Sequence, residues 1–208
     1  MRNAIVAIFL AAGTFLATST AAAGDAQLLI RTYDMTSASE TERARAVSMA
    51  GAILEDAGLY VVWTACETAV ARDIDHPCLT RLRPNEVSVR FVRLPGTAGT
   101  RQAALGYSLV ETQGRTGSLA TIYVDRVARL ASAAAMDVAT VLGRAIAHEV
   151  GHLLLGTGEH SRTGVMRAVW APVMLRRNRP GDWQFTESDA RALRQAVQDR
   201  TPLQLVRN

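Results

Sequence analysis

The sequence contains no lysine, so every one of its 23 basic side chains is an arginine, against 19 acidic residues and a formal net charge of +4. The arginines are dispersed apart from Arg176, Arg177 and Arg179, and aromatics make up only 5% of the chain. A basic stripe interleaved with stacking aromatics is therefore missing, and no nucleic-acid partner is expected. Cysteine is scarce too. The only two, Cys66 and Cys78, match neither zinc-knuckle nor Cys-x-x-Cys spacing. In an oxidising compartment such a pair closes a disulfide, which stabilises by about 3 kcal/mol on the chain-entropy account. Beyond the N-terminus no apolar run is long enough to cross a membrane. Repeats and low-complexity linkers are also lacking, so a single domain and a monomer are expected.

Hydrophobic residues make up 49% of the chain, enough for a core. The first residues stand apart from it. Arg2 gives a positive start, Ala4 to Ala17 is apolar, and small residues follow up to Ala23. This is the pattern of a signal peptide over residues 1–23, with cleavage after Ala23. Residues 24–208 then form the exported domain, in the periplasm or outside the cell. Its start lies so close to the first strand that a cysteine-bearing propeptide is not expected.

Gln27 to Asp34 reads as a first strand. Ser39 or Thr41 caps a helix through Glu42 to Asp56, with Ala46, Val47, Ala50, Ile53 and Leu54 inward, and Gly58 ends it. Further strands are expected over Leu59 to Thr64, Glu86 to Leu94, Ala104 to Glu111 and Leu119 to Val124. A Gly/Pro-rich loop follows Pro95, and a turn is expected at Gln113-Gly114. A long helix runs from Val138 to Leu155, capped by Asp137 and apolar nearly all round, so it belongs at the centre. Glu159 to Asp182 has little periodicity. A last helix starts at the Thr186 cap. This order implies a layered α/β or α+β domain.

The central helix carries His148-Glu149-Val150-Gly151-His152. Positions four apart lie on one helix face, so two imidazoles can point at one ion. Glu149 follows the first histidine and can reach a water beside that ion without binding it. Zinc takes such nitrogen ligands plus a third protein ligand and keeps one position open. Two histidines and a glutamate on a buried helix are costly without a purpose. Gly156 breaks the helix, and His160 follows where a reversing turn brings it back. Three of the four histidines fall between His148 and His160. One Zn²⁺ per chain is expected.

The segment HEVGHLLLGTGEH, His148 to His160, resembles the metzincin zinc peptidases, whose signature is His-Glu-x-x-His-x-x-Gly-x-x-His followed by a methionine turn. His148, Glu149 and His152 match directly. Gly156 stands one residue late and His160 two residues late, so the loop is longer than the family pattern. Glu159 is the competing third ligand. The resemblance implies that Met166 is the methionine beneath the metal. It also implies that the fourth strand is an antiparallel edge pairing with an extended peptide, here through Gly106 and Tyr107. A tyrosine soon after Met166 is lacking; Trp170 stands there and is expected to line the pocket. The paired-cysteine zinc site of the archaemetzincins is absent. The expected fold is α+β, zincin-like and three-layered, with a mixed five-stranded sheet, a central active-site helix and a small irregular C-terminal part ending in a helix.

The leading function is an exported zinc endopeptidase acting on peptide or protein substrates, with Glu149 as general base. Two alternatives share the metal: a non-catalytic zinc protein that binds peptides, and a zinc amidase acting on a non-protein substrate.

Overall fold

The computed structural model describes residues 27–36, 39–66, 76–93, 104–111, 113–114 and 116–201. The signal segment and the Gly/Pro-rich loop after Pro95 lie outside them. The elements in chain order are β1 (Gln27–Asp34), α1 (Glu40–Asp56), β2 (Tyr60–Cys66), β3 (Glu86–Val92), β4 (Gly106–Glu111), β5 (Thr116–Tyr123), α2 (Val124–Ala133), α3 (Val138–Leu155), α4 (Pro172–Arg177) and α5 (Glu187–Arg200), with short 3₁₀ turns at Pro77–Leu79 and Pro180–Asp182. The fold is α+β around a mixed five-stranded sheet in the order β2-β1-β3-β5-β4. All neighbours pair in parallel except β4, the edge strand, which runs antiparallel to β5.

Burial explains why the central strand departs from simple alternation. Val87, Val89 and Phe91 of β3 face one way, as their spacing predicts, yet Glu86 and Ser88 on the other side are buried too. A central parallel strand is covered on both faces. Glu86 tolerates this because Arg31 of β1 meets its carboxylate at 2.6 Å through both Nε and Nη2. That bidentate pairing holds the Glu86 carboxyl below its ordinary pKa against the opposing effect of burial, which is the larger single influence. The Cys66–Cys78 disulfide forms, with the Cα atoms 5.5 Å apart, tying the end of β2 to the 3₁₀ turn.

Helices α1 and α3 pack side by side against the sheet. The C-terminal part covers the far side of α3 with Met166, Phe185, Leu193 and Val197, all buried, and supplies the third layer. Asp137 caps α3 by accepting from the Thr140 amide at 2.9 Å. Gly156 ends it in the left-handed region at φ 63°. Among the described residues α3 is the one helix long and apolar enough to cross a membrane, but 78% of that stretch is buried inside the protein. It is a core helix.

Two helices escape the sequence reading. Helix α2 follows β5 with no intervening residue, and its first residue is the β-branched Val124, so the chain gives no turn signal there. It buries Val127 and Ala131 and carries an Asp125–Arg129 pair at 3.0 Å. Helix α4 is only six residues long, too short for helical periodicity to show, with Pro172 in its first turn.

The contact of α1 with α3 depends on Gly143. A Cβ there would lie 2.6 Å from the Ala46 carbonyl oxygen and 2.6 Å from the Met49 Cβ. Gly143→Val is expected to force the helices apart, at a cost of about 2 kcal/mol. Thermal unfolding should show a Tm lower by roughly 4–8 °C. An unchanged Tm would mean that α1 can slide freely on α3.

Candidate metal centre

His148 and His152 stand one turn apart on α3, the first half-buried and the second buried. Beyond Gly156 the chain reverses. The Thr157 carbonyl oxygen lies 2.8 Å from His152 Nδ1, and the Glu159 amide donates to the Thr157 hydroxyl at 3.1 Å. The turn returns the exposed His160, whose ring centroid lies 5.3 Å from that of His148 and 4.8 Å from that of His152. One ring nitrogen from each of the three histidines falls within 4.8 Å of the others. The carboxylate of Glu159 is not part of this group.

Backbone carbonyls decide which nitrogens face the centre. The Val165 carbonyl oxygen lies 2.8 Å from His148 Nδ1, as the Thr157 oxygen does from His152 Nδ1. A carbonyl oxygen only accepts, so each Nδ1 carries the hydrogen and each Nε2 carries a lone pair. The two Nε2 atoms are 3.0 Å apart. Lone pairs at that distance repel unless a cation lies between them. Burial opposes a proton as that cation, pushing the His148 pKa down to about 4 and lowering those of His152 and His160. Nitrogens bound to one tetrahedral zinc at about 2.0–2.1 Å lie roughly 3.3 Å apart; the His148–His152 pair at 3.0 Å fits this metal, and His160 brings a nitrogen within 4.8 Å of both.

Met166 is buried beneath α3, where Gly151 makes room for it. A Cβ on Gly151 would sit 2.5 Å from Met166 Sδ and 2.9 Å from Phe185 Cε1. Gly164, at φ +74°, lies so close to the Gln184 carbonyl oxygen that a Cβ would be 2.5 Å from it. The turn is fixed by the Ser161 amide on the Met166 carbonyl and the Val165 amide on the Gln184 carbonyl, both at 2.9 Å. This is the turn that points the Val165 carbonyl at His148.

Glu149 lies between α3 and the edge strand. Ser108 of β4 hydrogen-bonds its Oε2 at 2.8 Å, while burial pushes the carboxyl up to about 7 despite that bond. Gly106 is part of the same wall. A Cβ there would lie 2.9 Å from Glu149 Oε1 and 2.6 Å from the Thr121 carbonyl oxygen. Tyr107 turns to the opposite face of the sheet, where its hydroxyl accepts from Arg90 at 2.6 Å. Trp170 stands edge-on to His148, ring centroids 5.6 Å apart, and edge-on to Trp183 at 5.3 Å. Ser108 and the two carbonyls escape the sequence reading. Strand alternation alone places Ser108 on the face of Gly106, whereas a carbonyl's partner leaves no mark in residue identity.

The sheet with its antiparallel edge, the central helix and the converging histidines define a zincin-like α+β fold. A zinc-dependent peptidase from Methanocorpusculum labreanum has a similar structure, with a TM-score of 0.50 at 14% identity, covering 79% of this chain and 99% of that one. An archaemetzincin from Methanopyrus kandleri gives a TM-score of 0.49 at 12% identity, covering 83% of this chain and 97% of that one. No protein-family profile and no curated protein matches the sequence.

The lowered histidine pKa values set the pH range for metal binding. His148, pushed down to about 4, and His152 and His160, lowered by burial from their ordinary 6.5, need lose no proton to bind metal at neutral pH. Zinc affinity, measured by chelator competition, should stay level from pH 8 to 6.5 and fall only below that. A loss of about tenfold per pH unit already between 8 and 7 would show that the nitrogens are protonated and the site mis-assigned.

Proposed function

We propose that this protein is an exported zinc endopeptidase with a metzincin-like centre, in which His148, His152 and His160 hold the metal and Glu149 is the general base. The observation that carries this reading is the pair of Nε2 lone pairs 3.0 Å apart, with a carboxylate on the next residue whose basicity burial raises. A structural metal site has no need of such a base. Zinc bound there supplies a Lewis acid that polarises a scissile carbonyl and acidifies water.

The protein's own groups do the rest. With a pKa near 7, Glu149 can accept a proton from the attacking water and return it to the leaving amine at neutral pH. Ser108 positions the residue, its hydroxyl lying 2.8 Å from both Oε2 and the backbone carbonyl oxygen of Glu149. Among the described residues strand β4 pairs with β5 on one side only, which suits the other edge to an extended peptide along Gly106 and Tyr107. Trp170 walls the site beside His148. All three metal-binding histidines come from one chain, which accords with a monomer. Export rests on the signal pattern of residues 1–23. Met166 supports the centre from below, as the metzincin resemblance implies.

Glu149→Gln keeps the shape of the side chain and removes the base. Zinc content should stay at one per chain, while cleavage of an internally quenched, end-blocked peptide library falls by a factor of about 10² or more. Full activity in that variant would sink the mechanism. A wild-type protein that binds zinc and library peptides but cleaves none would be a peptide-binding relative instead.

A further inference from the structure

Arg144 lies on α3 one turn before His148, and its side chain is buried at 5% exposure. Its guanidinium stacks on Trp183, with Cζ 4.0 Å from the ring centroid. One nitrogen, Nη2, donates to the side-chain oxygen of Asn178. Nε and Nη1 are buried with no acceptor among the described residues, and so are the indole nitrogens of Trp170 and Trp183. A buried guanidinium with no carboxylate partner is costly, because neither a π face nor one amide oxygen replaces the water it has lost. Its planar fork matches a carboxylate.

The position suits a ligand. Trp183 meets Trp170 edge-on, and Trp170 meets His148 edge-on, so the cluster is continuous with the three histidines. Asn178, the neutral acceptor on Nη2, is itself exposed, so one side chain separates Arg144 from solvent. Around it stand Arg176, Arg177 and Arg179, all exposed. Such a cluster draws anions toward the spot.

We propose that Arg144, walled by Trp170 and Trp183, forms a carboxylate-binding subsite that selects substrates with an acidic side chain, or a free C-terminal carboxylate, close to the scissile bond. The incoming carboxylate displaces Asn178 as the acceptor on Nη2 and with its second oxygen takes one of the two unsatisfied donors, Nε or Nη1. The substrate preference rests on the peptidase reading above; the carboxylate site does not.

Two measurements test it. The zinc-loaded protein is given a peptide series in which one Glu or Gln is walked through the positions flanking the cleaved bond, each with an acid or amide C-terminus. The preference, Glu over Gln at one position or acid over amide, should reach about tenfold or more in kcat/KM. In Arg144→Gln the ratio should fall to near one. Asn178→Asp offers the guanidinium a carboxylate from the protein itself; the ratio should collapse again while the Tm rises. This surface change keeps the test open if Arg144→Gln fails to fold. In parallel, the metal-free protein is titrated with acetate and followed by tryptophan fluorescence. A saturable response in the wild type that is lost in Asn178→Asp is expected. Wild-type ratios near one throughout, or a preference that survives in both variants, overturn the proposal. If no peptide is cleaved, the peptidase reading falls and the acetate titration alone decides the carboxylate site, no saturable response overturning it.

Discussion

Two backbone carbonyls, those of Val165 and Thr157, determine what the centre can hold. Each lies 2.8 Å from a histidine Nδ1 and so fixes the tautomer of that ring. Without them, either imidazole could turn its N–H inward and the rings would hydrogen-bond each other. With them, both lone pairs converge, and the helix spacing that sets the rings side by side becomes a demand for a cation. The chain that supplies these carbonyls is the same chain that returns after α3. Thr157 lies in the reversal after Gly156, and Val165 in the turn that buries Met166. The reversal, the turn and the ligand set are thus one device. Strain at the Gly164 contact with Gln184 would be transmitted to His148 through the Val165 oxygen.

Burying α3 on all sides imposes a second condition. Four close approaches to it are made at a glycine. Gly143 admits α1, Gly151 admits Met166 and Phe185, Gly106 on β4 admits the Glu149 side chain, and Gly117 on β5 admits Leu153. A helix interior with two glycines loses roughly 0.5–1 kcal/mol at each relative to alanine. The compensation comes from packing: Val141, Ile146, Val150 and Leu153 are wholly buried around them. Close approach also raises the Glu149 pKa, since burial is its largest cause. The same tight packing that stabilises the helix therefore raises the basicity of the Glu149 carboxylate.

The sequence made α3 legible because three independent signals agree there: the Asp137 cap, apolar residues all round, and the Gly156 stop. The histidines needed only the helical repeat. Strands β1 and β3 were legible from patterning, although β3 showed that alternation in sequence does not mean a solvated face. Helices α2 and α4 were not, the first because it leaves a strand without a turn residue, the second because six residues carry no period. Arg144 carries no such signal, being one of many dispersed arginines. Only the fold shows that it lies under Trp183 from an irregular segment some forty residues on, since stacking across that distance has no local pattern.

The spacing between His152 and His160 is longer than the metzincin pattern, and the structure shows where the extra length goes. His152 is tied by its Nδ1 to Thr157, immediately past the αL turn at Gly156, so the start of the reversal is held close to the helix. His160 is held from the other side, since the next residue, Ser161, donates its amide to the Met166 carbonyl and its hydroxyl to Asp189 of α5. Between these anchors lie Gly158 and Glu159, both exposed, and a Cβ on Gly158 would touch nothing. Length added at an exposed tip between two fixed points costs little loop entropy and disturbs no buried group. The position of His160 is set by its anchors and not by the count of residues, which is why a spacing that departs from the metzincin pattern can still bring the third imidazole to the first two.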